Sequence, residues 1–428
     1  MAVSRPAFHE EHVQAEIQLL EHLLLRRPRH NFQVQFWDGS VWGARHPNFT
    51  LILRRPGTLI RMLLAPSELA LGEAYIYNDF DVFGDLEEAL ALGDYLLHQT
   101  PAMSERIKLA TLLVKAGYQS RHGRKRARLY GLVHSKERDR QAIRYHYDLP
   151  VEFYALWLDR NLVYSCAYFH TPEDDLETAQ SQKLDYICRK LRLRPGERFL
   201  DIGCGWGALI LHAAKHYQVN ALGITLSALQ AEAVNDRIRQ AGLAGSCQVA
   251  MCDYRDLQGT ERFDKIASVG MFEHVGEKLL PAYFSRAWQL LSPGGVLLNH
   301  GIAYSATYFR RGPSFVEHYV FPDGELVPLN TCLRAAENSG FEVRDVESLR
   351  EHYALTLRHW VQRLESNADQ ARRITSDETY RIWRIYMAGS AHGFATGRLN
   401  VYQTLLLKTS DHGQSGLPLT RKGWYNDV

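Results

Sequence analysis

The spacing of apolar positions changes partway along the chain, and the first hundred residues have a mixed pattern. Short apolar runs at Phe32–Phe36 and Thr50–Leu53 are separated by Asp-Gly and Pro-Gly turn signals, and a helical period begins at Pro66. Strand-like runs followed by helical patterns predict a small α+β domain. We predict that this domain covers residues 1–119.

From about Arg144 to the end, apolar strand-like runs alternate with helical patterns. The run Arg198–Ile202 leads into the glycine-rich Gly203–Gly207, and a second run follows at Val219–Leu226. Ser227–Gln230 has the S-x-x-Q pattern of a capping box and predicts the start of a helix. Such alternation predicts a doubly wound, Rossmann-like α/β sheet of seven strands in a domain from residue 144 to 428. The five remaining strands are predicted at Cys247–Cys252, Phe263–Val269, Val296–Asn299, Phe341–Glu347 and Leu399–Leu407.

Composition places the chain among ordinary globular proteins. Apolar residues make up 46% and charged residues 23% of 428 residues, which excludes a disordered, collagen-like or disulfide-scaffold protein. No run of about 18 uncharged apolar residues exists, and the first residues lack the uninterrupted apolar segment of a secretory signal, so we expect a cytoplasmic protein. The six cysteines include no C-x-x-C pair, so we expect reduced thiols and no metal site.

Positive charge is concentrated in one segment. Between Ser104 and Arg144 twelve Lys and Arg residues stand against three acids, a local charge of +9 that leaves −7 for the remainder of a chain whose net charge is +2. Such a segment suits an anionic surface, either lipid head groups or nucleic acid. It is equally typical of a solvated helix and linker. We predict a basic linker over residues 120–143.

The segment Asp201–Gly207, DIGCGWG, is the strongest candidate ligand site, because ligands of doubly wound sheets bind beyond the carboxyl ends of the strands. Its G-x-G-x-G pattern departs from the G-x-G-x-x-G of pyrophosphate binders, and Gly223–Ser227 holds no carboxylate for a dinucleotide ribose. S-adenosylmethionine is the remaining common ligand of such a turn. Asp201 and Asp253 lie at or near strand ends, where a carboxylate would bind its amino or ribose groups.

Several further motifs occur together with this turn and in a fixed order. Together they closely resemble the cyclopropane-fatty-acid synthase family of S-adenosylmethionine-dependent lipid methyltransferases, from about Leu71 to the C-terminus. The resemblance implies a Rossmann-like class I methyltransferase fold preceded by a lipid-handling domain, to which LGEAYIYNDFDV (Leu71–Val82) is similar. The other motifs are YSCAYF (Tyr164–Phe169), LETAQSQKL (Leu176–Leu184), GITLSALQ (Gly223–Gln230), VGMFEHVG (Val269–Gly276) and FVEHYVFPDGEL (Phe315–Leu326).

The family resemblance implies a specific reaction. A methyl group passes from S-adenosylmethionine to the cis double bond of an unsaturated acyl chain in a membrane phospholipid, and a bound bicarbonate takes a proton from the resulting carbocation to close a cyclopropane ring. Residue by residue, the resemblance assigns bicarbonate to Cys166, Glu273, His300, Ile302 and Tyr353. It assigns S-adenosylmethionine to Tyr164, Ser165, Gly203, Gly205, Thr225, Gln230, Asp253 and Tyr254, together with Asp201.

The chain departs from the family pattern at two places. Some members have a cysteine in the late helix where this chain has Gly389–His392, which excludes a nucleophilic cysteine there, and Asn299 stands where an apolar residue is usual. Within the family, ring closure stays open against a methyl-branched or methylene mid-chain product. We expect peripheral association with the anionic inner face of the membrane, with a homodimer possible.

Two other classes of function stay open on the sequence. The first is a nucleic-acid methyltransferase that uses the +9 segment, although the chain lacks the Asn-Pro-Pro-Tyr type of loop of base-amino methylases. The second is a non-catalytic lipid-binding or transfer protein built on an inactive methyltransferase. The presence of Glu273 and His300 argues against the second class.

Overall fold

The chain folds into two compact units. The computed structural model describes residues 31–64, 67–97, 129–147, 149–307, 314–410 and 412–425, together with residue 111 and eight residues between 13 and 24. The first unit comprises residues 1–128, 309–320 and 376–392, and the second comprises 129–308, 321–375 and 393–428. The sequence predicted a first domain that ends at residue 119 and a second that begins at residue 144. In the structure the first unit runs to residue 128 and also includes the two later segments.

A four-stranded sheet in the order β2-β1-β3-β4 is the centre of the first unit. Burial alternates along β1, where Phe32 and Val34 point into the core. The later segments pack against residues 73–81, since Tyr319 donates to Glu73 at 2.9 Å and Arg381 donates to Asp81 at 2.7 Å. The strands are β1 (Phe32–Gln35), β2 (Val41–Gly43), β3 (Phe49–Leu53) and β4 (Phe80–Gly84), and the helices are Thr58–Leu64, Glu68–Ile76, Leu86–Leu97, Phe315–Tyr319 and the greater part of Asp377–Ala395.

The second unit contains a seven-stranded sheet in the order β10-β11-β9-β8-β5-β6-β7. Strands β5 to β9 pair in parallel, while β11 is antiparallel to both of its neighbours, β9 and β10. The predicted doubly wound fold of seven strands is therefore confirmed. The strands are β5 (Arg198–Ile202), β6 (Asn220–Thr225), β7 (Cys247–Met251), β8 (Phe263–Val269), β9 (Leu291–Tyr304), β10 (Glu342–Ser348) and β11 (Leu399–Leu407).

One strand is much longer than its sequence pattern predicts. The prediction gave only Val296–Asn299, whereas β9 has fourteen residues. Pairing with β11 continues from Val296 to Tyr304, through the polar Asn299 and His300. A tertiary partner thus extends the strand beyond its apolar run.

Helices cover both faces of this sheet, and two apolar clusters fill the spaces between them. On β5 the neighbouring residues Phe199 and Leu200 belong to the clusters on opposite faces. Helix Lys136–Tyr147 occupies part of the predicted linker, whose residues 120–128 lie outside the described residues. In the described parts of the chain, no helix is both long enough and apolar enough to cross a bilayer. The remaining helices are Val151–Ala155, Leu176–Leu191, Ala208–Tyr217, Ala228–Gln240, Leu280–Leu290, Leu329–Asn338, Arg350–Ser366 and Ala368–Ile374.

Candidate functional site

A cleft opens at the carboxyl ends of the central strands of the second unit. Strand β5 lies between β6 and β8, so the chain leaves the sheet in opposite directions on its two sides and a crevice forms there. The main-chain N–H groups of Gly203 and Cys204 both donate to Ile224 O at 3.0 Å, which fixes the turn after β5. The cleft contains about 1230 Å³ of empty space, a volume that includes its open mouth.

Glycine at position 205 keeps the cleft wall open. Gly205 has a φ of +53°, a left-handed conformation that costs a side-chain-bearing residue about 1–2 kcal/mol. A Cβ atom built there would meet no atom within 4 Å and would extend into open space. All nine predicted cofactor residues, the eight that the resemblance implies and Asp201 at the end of a strand, line this cleft: Tyr164, Ser165, Asp201, Gly203, Gly205, Thr225, Gln230, Asp253 and Tyr254.

Asp201 brings a buried acceptor to the cleft. Its Oδ1 atom is buried and accepts no hydrogen bond from the described residues. Burial raises the pKa of Asp201 to about 7, and the positive charge of Lys183 opposes that rise. A buried oxygen without a partner is costly, so a cationic donor that enters the cleft would gain by binding here.

Asp253, after β7, is held by the side chain of Arg255. The guanidinium donates from Nε at 2.8 Å and from a terminal nitrogen at 2.6 Å, one bond to each carboxylate oxygen. Although burial opposes ionisation, these bonds and the charge of Arg255 lower the pKa of Asp253. The cleft therefore carries a preformed carboxylate–guanidinium pair.

The capping box predicted at Ser227 and Gln230 forms only in part. Ser227 is the N-cap, and its side chain accepts from Gln230 N at 3.3 Å. The reciprocal bond is absent, because the Gln230 carboxamide accepts from the Thr225 hydroxyl at 2.7 Å and Ser227 N donates to Thr225 Oγ1 at 3.2 Å. The predicted helix start at Ser227 is confirmed, and Gln230 lines the cleft.

Two buried polar residues of helix Leu176–Leu191 position the cleft and were not predicted. Gln180 donates to Val163 O at 3.3 Å and to Ser165 O at 2.9 Å, and Lys183 donates to Ser165 Oγ at 2.9 Å. Both side chains are buried. The signal in the sequence was their spacing of three residues on the apolar face of the helix, where polar residues need partners.

None of the five residues assigned to bicarbonate is among the residues that line the cleft, although two of them are next to lining residues in the chain. Glu273 is next to His274, which lines the cleft, and Cys166 follows the lining residue Ser165. Within this group, Ile302 N donates to Glu273 Oε1 at 2.7 Å. His300 stands two residues before Ile302 on β9, so both side chains project from the same face of the strand.

Main-chain contacts connect the remaining members of the group. Ile302 pairs with Val401 across β9 and β11, and Val401 O accepts from Leu349 N at 2.9 Å. Leu349 O in turn accepts from Tyr353 N at 3.0 Å and lies 3.7 Å from the Cys166 thiol. The fold thus gathers the five residues around one corner of the sheet, although they come from four separate segments.

Two polar atoms of this group have no hydrogen-bond partner among the described residues. They are Oε2 of Glu273 and Nε2 of His300, and both are buried. Burial raises the pKa of Glu273 to about 7. Burial, with the charges of Lys183 and Lys190, lowers the pKa of His300 to about 3, so this imidazole is neutral at pH 7. The amide nitrogen of Gln403 lies 3.3 Å from His300 Nδ1. When that amide is the donor, Nδ1 accepts, and the hydrogen of the neutral ring is on Nε2.

Comparison with known proteins assigns the family. Residues 134–404 match the family model described as mycolic acid cyclopropane synthetase, and residues 19–94 match a domain of unknown function, DUF7884. A probable fatty acid methyltransferase of Pseudomonas putida is 39% identical over 398 residues, which is 92% of this chain and 96% of the relative. A tuberculostearic acid methyltransferase of Mycobacterium tuberculosis is 29% identical over 90% of both chains.

The solved structures agree with the sequence comparison. The crystal structure of mycolic acid cyclopropane synthase CmaA1 in complex with SAH and CTAB is 35% identical and superposes with a TM-score of 0.60, covering 63% of this chain and 98% of its own. The predicted methyltransferase fold is confirmed, and the SAH-bound relative supports S-adenosylmethionine as the ligand of the cleft. The family model matches more than half of the chain, and the chain therefore belongs to the mycolic acid cyclopropane synthetase family, within the S-adenosylmethionine-dependent lipid methyltransferases.

Proposed function

We propose that the chain transfers the methyl group of S-adenosylmethionine to the cis double bond of unsaturated acyl chains in membrane phospholipids and closes a cyclopropane ring. The observation that carries this proposal is the position of Glu273, a buried carboxyl next in the chain to His274, which lines the same cleft as the nine predicted cofactor residues. A group able to manage a proton thus lies one residue away from the cleft lining.

The cleft residues fit a ligand that combines a cation, an ammonium group and a ribose. The unpartnered Oδ1 of Asp201 would accept a hydrogen bond from the ammonium group. The carboxylate of Asp253, kept ionised by Arg255, would accept from ribose hydroxyls. Ser165 is held in place by Lys183 and would complete the wall beside Tyr164.

The buried group fits a small oxyanion that carries one hydroxyl. Oε2 of Glu273 lacks a donor and Nε2 of His300 lacks an acceptor, so one hydroxyl and one anionic oxygen would satisfy both. Bicarbonate has that arrangement, and when bound it supplies a base that tolerates an adjacent cation. Glu273 and His300 would hold it, while the main-chain N–H of Ile302 keeps the Glu273 carboxyl in place.

The proposed reaction first transfers the methyl group and then removes one proton. The electron pair of the double bond forms a bond to the methyl carbon while the carbon–sulfur bond breaks, so the sulfonium becomes neutral S-adenosylhomocysteine and the acyl chain becomes a carbocation. Loss of one proton from the added methyl group closes the ring. Apolar residues such as Leu162, Val163 and Leu209 line part of the cleft and would shield the carbocation from water once an acyl chain fills the space beside them.

A second product is favoured by one comparison. The relatives named fatty acid methyltransferase and tuberculostearic acid methyltransferase match 92% and 90% of this chain, whereas the cyclopropane synthase structure covers 63%. A methylene or methyl-branched mid-chain product shares every step up to the carbocation. A methylene product forms when a hydride shift along the chain precedes loss of a proton from the added methyl group, whereas a saturated methyl branch also requires a hydride donor as a second reactant.

The direct test incubates the purified full-length protein with methyl-labelled S-adenosylmethionine and vesicles of a mono-unsaturated phospholipid. We expect label in the acyl chain, a mass gain of one CH2 unit and, by NMR, the protons of a cyclopropane ring. NMR signals of an olefinic methylene or a branched methyl group would show that the second product forms and that the ring does not close. Label in the head group, or none in a folded protein that binds S-adenosylhomocysteine, would overturn both.

The role of bicarbonate has its own test. In buffer freed of carbon dioxide we expect slower transfer, and added bicarbonate should restore the rate. Vesicles of fully saturated phospholipid serve as the matched substrate control and should take up no label. A rate that ignores bicarbonate would remove the ion from the proposal and leave the methyl transfer standing.

A further inference from the structure

Three large apolar side chains are exposed together at the start of the second unit. Tyr130 is 71% exposed, Leu132 is 83% exposed and Val133 is 57% exposed. Among the described residues, ten large hydrophobic residues are exposed, and three of them fall within these four positions. Single exposed apolar residues are ordinary on a protein surface, but a contiguous group of them marks an interaction site.

The backbone of this loop, residues 130–133, is held in place although its side chains are in solvent. The Gln141 carboxamide accepts from Tyr130 N at 3.0 Å and donates to Tyr130 O at 3.3 Å. Arg138 donates to Gly131 O at 3.0 Å, and Ser135 N donates to Leu132 O at 2.9 Å. The exposure is therefore a property of an ordered loop and not of a frayed end.

A glycine is required at the tip of the loop. Gly131 has a φ of +98°, a conformation that side-chain-bearing residues rarely adopt, and a Cβ atom there would lie 3.3 Å from Ser135 Oγ. Within the loop, Arg138 and Gln141 of helix Lys136–Tyr147 bond to the backbone. The side chains of residues 130, 132 and 133 stay exposed. The loop thus presents its apolar atoms without burying them in the unit.

The charge around the loop is positive. Between residues 129 and 147 four cations stand against two acids. Lys136 pairs with Asp256 and Arg138 pairs with Asp323, so these two cations are committed to the second unit. Arg140 and Arg144 are exposed on the same helix, where Arg140 lies 3.8 Å from the exposed Glu137, and in the sequence residues 121–128 add five cations and no acid. Apolar side chains beside cations suit an anionic bilayer, which accepts both.

We propose that Tyr130, Leu132 and Val133 form a loop that inserts into the surface of an anionic phospholipid bilayer. The inference rests on the proposed function, since a phospholipid substrate is what brings the chain to a bilayer. Leu132 and Val133 enter the acyl boundary, Tyr130 lies at the head-group level where an amphipathic ring is favoured, and Arg140 and Arg144 face the lipid phosphates. The loop anchors the second unit, whose cofactor cleft holds Asp139, Ile143 and Tyr147 of the helix that follows.

The test is co-sedimentation of the full-length protein with vesicles of phosphatidylcholine that contain phosphatidylglycerol. We expect the double variant Leu132→Ser/Val133→Ser to bind about tenfold more weakly than the wild type, because two apolar side chains no longer enter the bilayer. The difference should persist at about 0.5 M salt, where charge attraction is screened. The variant Arg140→Ala/Arg144→Ala should lose binding only at low salt.

The matched control is Val151→Ser/Leu419→Ser, which makes the same two chemical changes at exposed positions elsewhere in the second unit, 37% and 102% exposed. It should bind vesicles like the wild type. Equal losses in both double variants, or no loss in the loop variant, would overturn the proposal. So would a loop variant that changes the molecular mass in solution, or the binding of duplex DNA, while it leaves vesicle binding intact.

Transfer to detergent-dispersed phospholipid separates this inference from the proposed function. The loop variant should keep wild-type transfer on dispersed lipid and lose it on vesicles. If the wild type transfers no methyl group to either substrate, the proposed function fails, while vesicle co-sedimentation still decides the role of the loop.

Discussion

The cofactor cleft and the buried group around Glu273 adjoin each other in the chain at His274 and Glu273, and they are built in opposite ways. The cleft is open. Its lining includes Gly203 and Gly205 of the turn after β5, which both have positive φ angles. The group around Glu273 is closed, and one main-chain donor within it, Ile302 N, is already bonded to the Glu273 carboxyl.

This difference indicates that cofactor binding and methyl transfer depend on different groups of residues. An open, preformed cleft admits a large ligand with little rearrangement. The buried group instead leaves Glu273 Oε2 and His300 Nε2 without a partner among the described residues, and its low-dielectric surroundings strengthen every charge interaction. Changes in the cleft should therefore act on cofactor affinity, and changes in the buried group should act on the rate of transfer.

The largest effect is expected from Glu273→Gln. The amide keeps the size of the side chain and removes its negative charge, so we expect transfer to fall by about 10²–10⁴-fold while the affinity for S-adenosylhomocysteine is unchanged. Single-turnover transfer and calorimetric titration measure the two quantities. The exposed Glu277→Gln, four residues further on, is the control and should behave as the wild type. A Glu273→Gln enzyme of normal rate would contradict the separation.

A smaller effect of the opposite kind is expected from Gly205→Ala. The methyl group would occupy space in the cleft, so we expect cofactor affinity about tenfold weaker and a nearly normal rate at saturating cofactor. Gly242→Ala is the control, since Gly242 also has a positive φ, +69°, and open space around it but lies outside the cleft lining. Both variants should lose about 1 kcal/mol of stability. Equal affinities in the two variants would show that the turn does not face the cofactor.

The smallest effect is expected from Lys183→Met, and it should depend on pH. The charge of Lys183 lowers the pKa of Asp201, which burial holds at about 7. Without that charge the pKa of Asp201 rises, so the carboxylate forms only at higher pH. Cofactor affinity at pH 7 should therefore fall about tenfold for each unit of the rise and recover toward pH 9.

The conservative variant Lys183→Arg distinguishes charge from packing in this experiment. It retains a cation beside Ser165 and Asp201 and should keep the pH profile of the wild type. A Lys183→Met protein whose affinity is low at every pH would indicate that the lysine acts only by holding Ser165. Titration of S-adenosylhomocysteine across the pH range reads both outcomes.

Much of the second unit could be predicted from local pattern alone. The run Arg198–Ile202 matches β5 at both ends, and Ser227 caps the helix where its position before an amphipathic stretch places it. Such features depend on contacts within a few residues, which a single stretch of sequence contains. The Gln230 side chain, by contrast, bonds to Thr225 in place of the predicted capping partner, because the end of β6 offers a nearby hydroxyl.

By itself, the sequence determined the seven strands of the sheet and the turn after β5, since hydrophobic period and glycine placement act locally, while most residues predicted for the cleft came from the family resemblance. Tertiary structure alone decided that residues 309–320 and 376–392 join the first unit and that β9 extends to Tyr304. It also brought Ile302 N to Glu273 and Lys183 to Ser165. These contacts join residues 18 to hundreds of positions apart, and their energy depends on burial and partners that no local pattern records.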